Sequence, residues 1–279
     1  MAKQKKHKKN INEMSFLDHL EDLRWHLIRI ILAVVIVATL AFIFSRFIFE
    51  DIIFAPLEMD FPTYRLLCDA ATYFDVETTF CADKMPMIIQ NRTIGGQFSA
   101  DIWTAILAGF ILSFPYVIYQ LWHFISPGLH DNERRHSKGF IIVSSLLFFI
   151  GVLFGYYIVT PLSLNFLANY SISEIVDNQI DISSYIALVR NSALASGLVF
   201  ELPIIIYFLT KIGLVTPETL RKYRKYALVI VLILSAIITP PDVTSQIIVA
   251  IPILILYQVS IYISKIVVRN QRKKEKQHV

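Results

Sequence analysis

Four stretches of this sequence combine residue types and spacings that can do chemistry. The first is SFLDHLEDLRWHLI, Ser15 to Ile28, which gathers the carboxylates Asp18, Glu21 and Asp22 within five residues. Phe16, Leu20, Leu23 and Leu27 recur at helical spacing and Ser15 with Asp18 resembles a capping box, so the segment reads as an amphipathic helix with its acids on the polar face. As a solvated face, with Glu21 paired to Arg24, it would contribute only roughly a few tenths of a kcal/mol. As a binding face it suits guanidinium groups, which form planar two-point pairs with carboxylates that lysine cannot copy. The second stretch, ISPGLHDNERRHSK at Ile125 to Lys138, sets Glu133 beside Arg134 and Arg135.

The third is Glu201 in LVFELPIII. An ionisable residue within an apolar helix costs about 2.5 to 3.5 kcal/mol on insertion into a bilayer, so Glu201 is expected to face a polar partner or a water-filled cavity. Pro203 has no N–H, which leaves the Val199 carbonyl without its helical donor. The fourth is TPPDVTSQ, Thr239 to Gln246, where two prolines stop one helix and Asp242 is placed to cap the next. Gln246, one turn further on, becomes a candidate hydrogen-bond partner for Glu201 if their helices meet. Apart from these, the chain has two cysteines, Cys68 and Cys81, in one polar stretch, and a disulfide between them would close a loop of about 14 residues worth roughly 3 kcal/mol. With two free thiols as the alternative and no histidine in that stretch, no metal site is expected.

The elements that must position these groups are apolar blocks. The 279 residues are 55% apolar and 17% charged, whereas soluble domains carry about 25% charged residues. A water-soluble enzyme is excluded on this ground, and the length has room for roughly six membrane helices of about 20 residues. Candidate spans are Trp25 to Phe49, Ile102 to Ile125, Gly139 to Pro161, Tyr185 to Leu209, Tyr226 to Ile238 and Val243 to Val268. The fifth rises only about 20 Å against a hydrocarbon core of about 30 Å, so the bilayer must thin or the helix ends snorkel there. The segment before span one is expected to lie along the interface and then turn into the membrane.

Charge sets the orientation. Twenty-one of the 26 Lys and Arg residues fall in the N-terminal segment, the loops after spans two and four, and the C-terminal tail. By the positive-inside rule that side is the cytoplasm, with both termini on it. The stretch from Glu50 to Asp101 is acidic and lies outside. The N-terminal lysines are read as topology or lipid contacts rather than as nucleic-acid ligands. The organisation is then a basic tail at 1–14, a single six-helix membrane domain at 15–268 with a long outer loop at 50–101, and a basic tail at 269–279.

Taken together, HLEDLRWHL, FAPL, YQLWHFISPGLHDNERR, SSLLFFIG, FELP, TPETLRKYRKY and TPPDVTSQ, in this order, closely resemble the TatC family of twin-arginine translocase subunits. The resemblance implies an all-α membrane fold of six helices in a concave, cupped arrangement in a bacterial inner membrane. It implies a receptor core that binds twin-arginine signal peptides of folded cargo and works with TatA- and TatB-type single-span partners and further copies of itself. Energy would come from the proton-motive force, as no phosphate-binding loop is present and no cofactor is expected. By position, Asp22, Arg24, Phe124, Glu133, Arg134 and Arg135 belong to the signal-peptide site. Glu201 and Gln246 are intramembrane polar positions open to partners, Asp242 lies in an outer turn, and Pro56 is the proline of the first outer loop. Three departures stand out. Asp22 replaces the usual Glu, so that Glu21 can share its role; His26 stands where arginine is common; and the first outer loop is longer. The competing reading is a proton-coupled small-solute transporter using Glu201, which predicts matching broken helices in the two halves of the chain.

Overall fold

A computed structural model describes residues 16–75, 78–82, 84–125, 137–173, 175, 178–239 and 243–275. Helix α1, Phe16–Ile43, is the first span. It contains no Gly or Pro, and extending a helix adds one hydrogen bond per residue fixed. The amphipathic segment and the span therefore form one unbroken helix about 42 Å long, and the turn expected between them is absent. Past Ile43 the chain continues through a short helical piece, Ser45–Phe47, and widens into a π-helical stretch, Ile48–Ile53, before a 3-10 turn at Ala55–Leu57.

The long outer stretch is ordered. Helix α2, Pro62–Tyr73, starts on a proline at its first position, where the missing N–H costs nothing. A disulfide joins Cys68 of α2 to Cys81. Strand β1, Ile88–Gln90, pairs in parallel with β2, Gln179–Asp181, which precedes the fourth span. Tyr64 is fully buried, and its hydroxyl donates to the Pro56 carbonyl at 3.1 Å and lies 3.2 Å from that of Pro161. Pro56 is buried in this latch, which ties the first outer stretch to the third span.

Helix α3, Gly96–Ile125, is the second span. The third runs from α4, Ser137–Phe154, through a π-helical segment, Gly155–Val159, into α5, Thr160–Asn169. The fourth is broken in two, α6 (Ile182–Phe200) and α7 (Leu202–Lys211), with Glu201 at the junction. Pro203, second in α7, is the cause: it has no N–H to donate to the Val199 carbonyl, and at the junction the Glu201 N–H bonds the Leu198 carbonyl, three residues back, at 3.2 Å. After a short helix α8, Pro217–Lys222, come α9 (Arg224–Ile238) and α10 (Val243–Glu275).

Five of these spans are long and apolar enough to cross a bilayer, and α9, about 22 Å long, is the further, short one. The molecule is an all-α membrane protein. Spans three and four approach closely because their facing positions are small. Gly151 and Gly155 meet Ser192, Ser196 and Gly197, and a methyl group on Gly151 would stand 2.7 Å from the Ser196 carbonyl oxygen. Small residues spaced four apart let membrane helices pack backbone to backbone.

Candidate functional site

Glu21 and Asp22 lie near the start of α1, one turn before the place where α1 meets the C-terminal part of α3. Glu21, Asp22 and Arg24 are all exposed, and none of them is in an ion pair among the described residues. The Glu21 to Arg24 pairing available at helical spacing is not made. One helical turn beyond Asp22, on the same face, His26 turns toward α3. Its Nδ1 donates to Gln120 Oε1 at 2.7 Å, and Gln120 Nε2 donates to the Tyr116 hydroxyl at 2.6 Å. Gln120 is buried, and a buried amide needs partners at both ends, so this chain fixes the register of α1 against α3.

The His26 ring lies 5.5 Å from that of His123 and 6.2 Å from that of Phe124. His123 stacks on Tyr119 at 6.1 Å. On the other side of α3, Trp122 and Phe208 both pack on Phe140, at 4.6 and 4.8 Å, which locks spans two, three and four together at this end. Phe124 is half-buried beside His26. Glu133, Arg134 and Arg135 lie outside the described residues, as does Asp242.

Residues 18–252 match the family described as Sec-independent protein translocase protein (TatC). The chain belongs to the TatC family. Similar proteins include the TatC of Blattabacterium sp. subsp. Periplaneta americana, 46% identical over 91% of this chain and 96% of that protein. The TatC of Aquifex aeolicus is 34% identical over 94% of this chain and 100% of that protein. A crystal structure of the twin-arginine translocase receptor TatC superposes with a TM-score of 0.66 at 33% identity, covering 90% of this chain and 99% of that one. The protein is thus a multi-pass membrane component of a protein-transport family.

Glu201 is buried at 7% exposure and accepts a hydrogen bond from Ser144 of α4 at 2.8 Å. Its other oxygen, Oε1, has no partner among the described residues. Gln246 is not the partner expected for it. Its Nε2 donates to the Leu232 carbonyl at 2.9 Å, stitching α10 to α9. Sequence reasoning missed Ser144, although it lies within the SSLLFFIG stretch, and missed Gln120. A polar residue inside an apolar run was the available signal for both, although Ser145 beside Ser144 leaves the choice between the two serines open in the sequence.

Proposed function

We propose that this chain is the receptor core of a twin-arginine translocase. Asp22, shared with Glu21, and Glu133 pair with the two arginines of a signal peptide at the cytoplasmic face, flanked by Arg24, Phe124, Arg134 and Arg135. Both termini lie in the cytoplasm of a bacterium with this protein in its inner membrane. With TatA- and TatB-type partners the complex passes folded proteins across, driven by the proton-motive force. Glu201, Gln246 and the turn at Asp242 serve contacts with those partners, while Pro56 and the Cys68 to Cys81 clamp hold the outer face.

The observation that carries the reading is the state of the α1 carboxylates. The carboxylates of Glu21 and Asp22 are exposed on α1 and hold no ion pair among the described residues, so their charge is available to a ligand. Removing one carboxylate from a two-point guanidinium pair typically costs about 2 kcal/mol, or about 30-fold in affinity. The test is binding of a twin-arginine peptide to the full chain in nanodiscs. Asp22→Ala with Glu133→Ala is expected to weaken binding by at least that factor, and unchanged affinity overturns the pairing. Glu21→Ala measured alongside reports how the neighbouring acids divide the role. The small-solute transporter reading is disfavoured by the asymmetry of the helices: span four is broken at Glu201, whereas span one runs unbroken from Phe16 to Ile43.

A further inference from the structure

An aromatic face runs along α3 to His26 of α1, one turn from Asp22, and the pairing of charges makes no use of it. Tyr116, Tyr119 and His123 follow each other at three- and four-residue spacing along α3 and are all exposed. Their rings form a ladder. Tyr116 and Tyr119 are 6.1 Å apart with planes tilted 32°, and Tyr119 and His123 are 6.1 Å apart with planes within 20° of parallel. His26 continues it across to α1, 5.5 Å from His123. Gln120 and the Tyr116 hydroxyl hold the His26 ring, so the ladder is anchored at both ends by the same buried hydrogen-bond chain. Asp22 lies one turn from His26 on the same face of α1, and His26 meets His123 edge-on with planes 62° apart, which leaves the faces of the Tyr119 and His123 pair free of the His26 ring.

Carboxylate and ring recognise different parts of one group. An arginine guanidinium is planar: its edge carries the N–H fork that a carboxylate accepts, and its flat face stacks on an aromatic ring. Lysine offers a hydrated point charge with neither the fork nor the flat face. We infer that Tyr119 and His123 form a stacking platform for the guanidinium face of one signal-peptide arginine while Asp22 takes its edge, so that the rings, and not the carboxylates alone, select arginine over lysine. This rests on the signal-peptide site proposed above and goes beyond it by assigning the discrimination between the two basic residues.

The test measures binding of two synthetic peptides, one with adjacent arginines and one with adjacent lysines, to the full chain in nanodiscs. Tyr119→Leu and His123→Leu are each expected to weaken the arginine peptide by about 2- to 30-fold, the range for a cation on an aromatic face, and to weaken the lysine peptide less. Tyr119→Phe keeps the ring and is expected to keep the selectivity, which separates stacking from loss of folding. Equal losses for both peptides would assign the rings to anchoring the helix at the bilayer surface and overturn the inference, as would unchanged arginine affinity in both leucine variants. Asp22→Ala with Glu133→Ala supplies the independent readout. If that pair weakens binding while the ring variants leave the arginine to lysine ratio intact, the stacking fails and the charge pairing stands. If that pair has no effect, the underlying site fails.

Discussion

Ser144→Ala is the sharpest test of how the buried carboxyl is held. Ser144 is fully buried and supplies the hydrogen bond to Glu201 Oε2 at 2.8 Å, while Oε1 has no partner among the described residues. Deleting the hydroxyl leaves the second oxygen stranded as well, in a site with 7% exposure. A buried polar group that loses its partner costs about 1 to 3 kcal/mol. For a chain of this size that corresponds to a fall of about 2 to 12 °C in the unfolding midpoint. Replacing both partners by apolar groups is expected to be far milder, because Leu has nearly the volume of Glu and no polar atom is left behind. Ser144→Ala with Glu201→Leu should therefore recover most of the midpoint, giving a coupling of about 0.5 to 3 kcal/mol in the double-mutant cycle. Thermal unfolding of the purified chain, followed by size-exclusion fluorescence, measures all four corners. Additive effects, or a Ser144→Ala protein as stable as the parent, would refute the pairing. The recovered double variant then separates stability from transport, and loss of cargo export in cells carrying it is expected.

Three further outcomes follow from the geometry. Gly151→Leu drives a side chain into the Ser196 carbonyl and Phe200, backbone and core atoms that cannot swing aside, so a loss of about 1 to 3 kcal/mol is expected by thermal unfolding, and a neutral result would mean that spans three and four are not in close contact. Cys68→Ser opens a loop whose closure is worth about 3 kcal/mol, and faster proteolysis of the outer stretch with the spans intact is the expected readout. Asp181 caps α6 by accepting the Ser183 N–H at 2.9 Å, and that bond, with a smaller contribution from Arg92, holds its carboxyl below the usual carboxylate range. A depressed pKa contributes stability above the unfolded value of about 3.9, which is lost as pH falls through the folded value. Protection from hydrogen exchange at the start of α6, taken relative to the free-peptide rate at each pH, should therefore fall below about pH 4 in the parent and stay flat in Asp181→Asn.

Much of the fold was legible because its signals are local. An apolar run long enough to span a bilayer needs no partner to be recognised, and the break in span four could be traced to Pro203, since a missing N–H acts on the carbonyl four residues before it. The α1 carboxylates were legible for the same reason, as acids standing on the basic side of the chain. The unbroken run of α1 was misjudged because hydropathy changes sharply at Trp25 while helix propensity does not. Gln246 was misassigned because its spacing from the outer turn places it on α10 but does not say which neighbour it faces.

What the sequence determined by itself was the set of apolar spans, how basic residues segregate along the chain, and which charged residues run against the local trend. Only the tertiary structure decided the pairings: His26 with Gln120, Ser144 with Glu201, Gln246 with Leu232, Tyr64 with Pro56 and Pro161. The reason is physical. A soluble helix advertises its buried face by being polar on the other, but a membrane helix is apolar all round, so its sequence does not reveal which face meets which neighbour. That choice rests on small residues permitting close approach, as at Gly151 and Gly155, and on a few polar groups that must find partners once water is gone.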